Sequence, residues 1–599
     1  MQDRLTRGQV AKELTWNLDD IFPTPEAWEA EFKQLERALE NVTAYRGRLS
    51  EDGQTLLSCL EAQEELAKIM VRVGSYASLK LAGDGTDAEN QMNAGRVSDL
   101  GSRIQAETAF IKAEILRLDA DDLKQFMKDA PGLASFRRLL EQILRQKPYT
   151  LSDDTEEALA ALGGVLSSPM MIYERSKSSD LAFEPVKDGQ SRPRPVSIAL
   201  YEGKYEGSSD LVLRRNAFWS FTEGLRKFQN TYGATLATEI KKNVVLARLR
   251  GFPSAIDAEL YRQEVTREVY DHLHDIILKE LSPAMRRYAR LRKRLLGLDQ
   301  LYYCDLEAPL DPDFAPETTF KEGSEYLIEG LRVLGDDYAN MVKTAVENRW
   351  VDLADNVGKA TGAFCNPIYD VHPYILMTWT DNMRNVLTLA HELGHAGHGI
   401  LYQRHHKLTN SRGSMFFTEA PSTINELLVA SYILNKTTDQ RMRRWVIMQM
   451  LMTYHHNYVR HLIEGELQRR IYALAEEGQT ITASVLSRVQ GEILEEYWGD
   501  ELVVDEGARL TWMRQVHYYV GLSPYGYSAG LTVGTAVTKA IQEEGQPAVD
   551  RWLKVLETGG TKPPLELAKM AGVDMEKPEA IRQAVNYVSA LVDELIENF

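Results

Sequence analysis

The chemistry of this chain is concentrated at His391-Glu392-Leu393-Gly394-His395, a His-Glu-x-x-His pattern. On a helix, residues four apart share one face, with Cβ atoms about 5–6 Å apart. Two imidazoles at that spacing can both reach one zinc ion at about 2.0–2.1 Å. Glu392 is poorly placed to complete the same ligand set. It can reach a water in the open coordination position, which is the requirement for a general base. With 12 histidines in 599 residues, chance gives roughly 0.02 such patterns in a chain of this length. The preceding Val386, Leu387, Leu389 and Ala390 are apolar, so the turn is expected to be buried, and buried imidazoles need partners. One zinc ion per chain is the implied cofactor.

A third ligand must come from elsewhere. A histidine six residues after the second, with a glycine midway, is one common solution, but those positions hold Leu401 and His398. His398 lies about two helical turns from His391 and reads as structural or solvent-facing. Glu419 and Glu426 are better placed, and either completes a zinc site of two histidines and one glutamate. Seven residues apart, both can face the same way from one helix. The one that is not a ligand can hydrogen-bond the far nitrogen of a ligating histidine. Periodicity does not choose between them.

The elements that must position these residues are mostly amphipathic helices. Glu26–Leu39, Glu64–Ala82 and Ala106–Leu118 carry apolar residues at helical spacing, and Arg214–Leu249 and Val265–Leu296 continue the pattern, the latter with a break expected at Pro283. Ala182–Tyr205, with three prolines and two glycines, is irregular, and the main boundary falls near it. The expected division is an N-terminal helical domain, 1–200, and a catalytic domain, 201–599. Between Lys359 and Trp379 the composition favours a β-hairpin, with Tyr374–Thr380 as its second strand. Helix is expected to resume at Asp381, an N-cap residue, with Pro421 opening the next one. The remainder is read as helix interrupted by a Gly/Tyr-rich segment, Gly521–Gly530. The fold class is mainly α.

Composition narrows the function. Hydrophobic residues make up 44% and charged residues 26%, an ordinary soluble balance. A net charge of −18 argues against a nucleic-acid partner. The basic run Arg286, Arg287, Arg290, Arg292, Lys293, Arg294 reads as a solvated helix face paired with acids. Three dispersed cysteines rule against a disulfide framework and suit a reducing compartment. The longest uncharged stretch, Gln515–Thr538, is too rich in tyrosine and glycine for a membrane span. No membrane association is expected, and the cytoplasm is the simplest location.

His391–His398, Glu419-Ala420-Pro421-Ser422 and Asn425-Glu426 resemble the oligoendopeptidase F branch of the thimet oligopeptidase family of zinc peptidases. Trp16–Pro23 (WNLDDIFP), Gly358–Phe364 and Tyr374–Asp381 are also similar to that family, and the resemblance covers essentially the whole chain. It implies a two-lobed helical body with a deep substrate channel and the small hairpin beside the zinc helix. It assigns the zinc ligands to His391, His395 and Glu419 and the base to Glu392, and leaves Glu426 supporting a ligand. It implies short unfolded oligopeptides as partners and cleavage at internal bonds.

Trp512–Tyr519 and Pro524–Tyr527 resemble the family's His/Tyr active-site stretch, although Ser523 departs from the aromatic residue many members carry there. Water attack on an amide creates an oxyanion that a preplaced donor must stabilise. Tyr527 is expected to serve the oxyanion and His517 the substrate carbonyl, followed by Tyr525 and Tyr519. Gly521, Gly526 and Gly530 are expected to let the segment close over a peptide. Gly362 and Tyr374 of the hairpin are expected to help bind the peptide backbone. Two alternatives remain: a helical zinc carboxypeptidase, and a peptide-binding protein with a vestigial site. Cleavage of a peptide blocked at both ends separates the first, and the joint presence of base, ligands and His/Tyr segment speaks against the second.

Overall fold

The computed structural model describes residues 4–411 and 413–599. Helices dominate it, as the apolar spacing demands. Pro25–Thr43 starts where the Thr24 side chain accepts from the Ala27 amide, with proline in the first turn, and it buries Trp28, Leu35, Leu39 and Val42. Gly53–Gly83 and Ala88–Arg117 pack with it. These helices share one hydrophobic core, running from Trp16 to Ile143 and including Ile368, Tyr374 and Leu376 of the hairpin. A second core runs from Tyr173 to Leu595. Tyr173 and Val196, which precede the division expected at residue 200, therefore pack with the later part.

The hairpin is present: Phe364–Asn366 pairs antiparallel with Tyr374–Leu376, a second strand shorter than expected. Val351–Asp352 adds a third strand, parallel to Tyr374–Leu376, and leaves Phe364–Asn366 on an edge. Two residues carry no readable alternation, so this strand is invisible in the sequence. The WNLDDIFP segment braces the sheet. Trp16 meets Tyr374 edge-on at 6.2 Å, and the Tyr374 hydroxyl donates to the Asn17 carbonyl at 2.8 Å. Arg349 donates to the Thr15 and Trp16 carbonyls. Glu64, from the first core, accepts from the Leu408 and Thr409 amides and so fixes the chain beyond the histidine motif.

Four local expectations are corrected. Asp381 is not an N-cap; it takes a left-handed φ of 51°, and the helix that follows is Arg384–Gln403, with Asn382 accepting from the Arg384 amide. Pro421 does not open a helix but lies inside Met415–Lys436, where its missing N–H forgoes one backbone hydrogen bond. Pro283 does not break its helix. A π-turn, Ile277–Leu281, joins Arg267–Ile276 to Ser282–Leu295, and the wider turn accommodates the proline ring. The Gly/Tyr-rich segment interrupts the helices only at its start: Gly521 takes a left-handed turn, and Ser523–Glu544 is one helix.

The basic run is absorbed structurally. Arg286 donates to the Glu496 and Tyr497 carbonyls, Arg287 pairs with Asp593, Arg290 with Glu501, and Arg292 donates to Tyr288 and the Ala308 carbonyl. No helix among the described residues is long and apolar enough to cross a membrane.

Candidate active site

The centre is built where the histidine helix, Arg384–Gln403, crosses the glutamate helix, Met415–Lys436. The crossing is close because of Gly394. A Cβ there would stand 2.4 Å from the Pro421 carbonyl oxygen and 2.5 Å from Ser422 Cα. Gly397 and Gly399 are similarly occupied by Tyr338 and Pro367. Glycine weakens a helix interior, but here it brings the two backbones into contact and carries Glu419 to both histidines.

Glu419 Oε2 lies 3.3 Å from His391 Nε2 and 3.7 Å from His395 Nε2. The three ligand atoms all lie within 4.8 Å of one another. Two imidazole nitrogens and one carboxylate oxygen facing a common point form a donor set that suits zinc with a fourth position left open. His391 Nδ1 lies 2.5 Å from Glu426 Oε1, and Glu426 Oε2 accepts from Thr453 Oγ1 at 3.0 Å. The alternative that periodicity left open thus has a geometric answer: Glu419 faces both histidines and Glu426 reaches the far nitrogen of one.

The close charges shift the members of the cluster in opposite directions. Burial raises the Glu419 carboxyl, but hydrogen bonding to His391 and attraction to His395 overcome this and hold it at about 2. Burial pushes His395 down to about 4. Burial also lowers His391, yet its contacts with Glu419 and Glu426 dominate and raise it well above the ordinary value. Glu392 is buried beside them, and loss of solvation raises its carboxyl to about 7, in the range that serves a general base. His398 is not part of the cluster: it packs edge-on against Tyr402 at 5.5 Å, and burial holds it neutral, down to about 4.

His517 and Tyr527 are brought together, with ring centroids 5.6 Å apart. Burial raises the Tyr527 phenol to about 12, with added push from Glu419 and Glu464, so it keeps its proton as a donor. Tyr525 and Tyr519 are not brought there. Tyr525 is buried and donates to Gln263 at 2.5 Å, and Tyr519 is stacked on Tyr173 at 4.9 Å. Residues two apart on a helix point in nearly opposite directions, so Tyr525 and Tyr527 cannot serve one site. Tyr374 is also turned away, buried in the first core under Asn17. Gly362, with φ of 87°, lies at an open depression of about 500 Å³ lined also by Ala363, Met377, Arg384 and Thr388.

Two of the glycines expected as hinges, Gly526 and Gly530, are spacers. A Cβ on Gly526 or Gly530 would meet Met415 O at 3.2 Å or Glu419 Cβ at 3.0 Å. Helix Ser523–Glu544 therefore packs closely against the glutamate helix. Of the three, Gly521 alone sits in a left-handed turn. Sequence reasoning missed His456, His461 and Glu464, which lie beside His517. The available signal was three histidines within seven residues, at 455, 456 and 461.

Comparison with known proteins adds the family context. The family described as Peptidase family M3 matches residues 205–587, and that described as Oligopeptidase F matches residues 114–183. The chain is 33% identical over 591 residues to oligopeptidase PepF of Bacillus subtilis (strain 168), covering 99% of this chain and 88% of that protein. It is 28% identical to group B oligopeptidase PepB of Streptococcus agalactiae, covering 96% of each. The crystal structure of oligoendopeptidase-F from Enterococcus faecium superposes with a TM-score of 0.76 at 25% identity, covering 96% of this chain and 99% of that one.

Proposed function

The chain belongs to peptidase family M3 and is a metallo-oligopeptidase, and from that premise we propose that His391, His395 and Glu419 hold one zinc ion and that Glu392 is the general base. The convergence of two imidazole nitrogens and the Glu419 carboxylate beside a buried Glu392 carries this reading. Zinc bound there would act as a Lewis acid, acidifying a water and polarising the scissile carbonyl.

The chain's own residues do the rest. Glu392 takes a proton from the attacking water and passes it to the leaving amine. Tyr527 donates to the oxyanion and His517 to the substrate carbonyl. Glu426 holds His391 through Nδ1, which fixes the ring and strengthens it as a ligand. The free edge of Phe364–Asn366 and the depression at Gly362 receive the extended peptide backbone. Tyr525, Tyr519 and Tyr374 act through packing.

The substrates in this reading are short unfolded peptides cut at internal bonds, admitted between a covering N-terminal lobe and a catalytic lobe. The two cores support a division between Ile143 and Tyr173. Residence in the cytoplasm suits the three free cysteines.

The test is metal content and hydrolysis of an internally quenched peptide, blocked at both ends, by wild type and Glu392→Gln. Both proteins should carry one zinc, and only wild type should cleave. An active Glu392→Gln protein, or cleavage only of peptides with a free C-terminus, overturns the reading.

A further inference from the structure

A second group of imidazoles and a carboxylate stands beside the first: His456, His461, Glu464 and His517. Its origin is local. His455–Arg460 forms a π-turn that runs into helix His461–Glu476. In a π-turn the repeat is five residues rather than four, so His456 lies against His461, with ring centroids 4.4 Å apart and Nε2 atoms 2.9 Å apart. One helical turn on, Glu464 Oε2 comes within 2.8 Å of His461 Nδ1. His517, 53 residues away in the chain, brings its Nδ1 to 3.2 Å from the same oxygen. Tyr527 lies face to face with His461, centroids 4.2 Å apart and planes 17° apart.

The proton positions follow from what each group can do. Burial would raise the Glu464 carboxyl, but the attraction and hydrogen bonds of His461 and His517 hold it far below the ordinary range. An ionised carboxylate only accepts hydrogen bonds, so both facing Nδ1 atoms carry protons. His461 then has Nε2 left, and that nitrogen is engaged by His456. Burial and the neighbouring His461 hold His456 neutral, down to about 3. For His517 the remaining nitrogen is Nε2. Its side chain keeps 21% of its exposure, and no hydrogen bond among the described residues engages Nε2.

We propose that Glu464 and His461 are positioning residues of the peptidase site: Glu464 fixes His517 through Nδ1 so that Nε2 is presented to the substrate carbonyl, and His461 holds the ring of Tyr527 while sharing the same carboxylate. One buried oxygen thereby sets both donors that face the reacting carbonyl. To donate from Nε2 as well as Nδ1 the His517 ring must take up a second proton, and Glu464 would be the counter-charge for it. The inference rests on the reading of His517 and Tyr527 as donors.

The test compares wild type, His517→Gln, Glu464→Gln, the double variant, Glu464→Asp and His461→Phe. For each, kcat and KM on a quenched peptide, the Ki of a phosphinic peptide mimicking the tetrahedral state, metal content and melting temperature are measured. Glu464→Gln should lower kcat about 10–100-fold, as loss of a supporting partner does, with KM little changed and one zinc retained. Phosphinic affinity should fall in step with kcat/KM. Glu464→Asp should recover part of the rate, and the double variant should lose less than the product of the two single losses, because part of the Glu464 effect runs through His517. An unimpaired His517→Gln protein defeats the parent reading of His517. An impaired His517→Gln with a normal Glu464→Gln, or losses that multiply in the double variant, overturns this inference alone. One ligand atom from each of His461, Glu464 and His517 also lies within 4.8 Å of the others; a second metal ion per chain that disappears in Glu464→Gln would overturn the inference too. Should Glu464→Gln fail to fold, His461→Phe carries the test. It keeps a ring on Tyr527 but releases the Glu464 oxygen that His461 Nδ1 and His517 share, and a normal kcat there rejects the shared-carboxylate proposal.

Discussion

His391 Nδ1 lies 2.5 Å from Glu426 Oε1 while its Nε2 faces Glu419 Oε2 at 3.3 Å. One imidazole is therefore held between two carboxylates that do different work. Glu419→Gln should abolish zinc retention on gel filtration. Glu426→Gln should still load zinc, with affinity weakened about 10–100-fold in a chelator competition. Loss of zinc only in Glu426→Gln would reverse the assignment.

Gly394→Ala places a methyl group against the Pro421 carbonyl. The helices must separate, at about 1–3 kcal/mol for overpacking of this kind. The variant should melt earlier and bind zinc more weakly. Gly95→Ala, in helix Ala88–Arg117 with nothing within 4 Å of the new Cβ, should be neutral or stabilise by up to about 1 kcal/mol. Equal melting curves for the two alanine variants would refute the close-crossing argument.

The two neighbouring tyrosines should separate cleanly. Tyr527→Phe should cost about 10²-fold or more in kcat, as removal of an oxyanion donor does, with little change in stability. Tyr525→Phe should keep near-normal kcat and lose on the order of 1 kcal/mol of stability, because Gln263 loses its donor. A large kcat effect from Tyr525→Phe would show that the segment rearranges when peptide binds.

Acid should destabilise the fold before any carboxylate titrates normally. Burial lowers His274 to about 4 from an ordinary value of 6.5. Between those values the unfolded chain binds a proton that the folded chain refuses, so the His274 penalty is absent above about pH 6.5 and grows as pH drops toward 4. His456, lowered to about 3, adds in the same direction. Urea unfolding at a series of pH values should show this slope, and His274→Leu should flatten it by about one proton. An unchanged slope would remove His274 as a source.

Much of the centre was legible because its spacing is local. His391, Glu392 and His395 lie within about one helical turn, and Glu419 and Glu426 lie two turns apart on the next long helix, so periodicity groups each set on its own helix. The Tyr525–Tyr527 pair was not legible. A segment containing Gly521, Gly526 and Gly530 reads as a turn, and only inside a helix do residues two apart face opposite ways. Gly526 and Gly530 looked like hinges because sequence reports their freedom and not the neighbouring backbone that fills their space.

By itself, the sequence determined the helical class, the β-hairpin, the His-Glu-x-x-His pair and the two carboxylates able to join it, since each depends on side-chain type and a repeat of two or 3.6 residues. The tertiary structure decided which glutamate faces the histidines, which tyrosine stands beside His517, and that Glu464 joins His461 to His517, which lies 53 residues beyond Glu464. Those outcomes depend on the angle and closeness of helix crossings and on a π-turn that shifts register by one residue. Such quantities arise only when distant segments pack, and no local period encodes them.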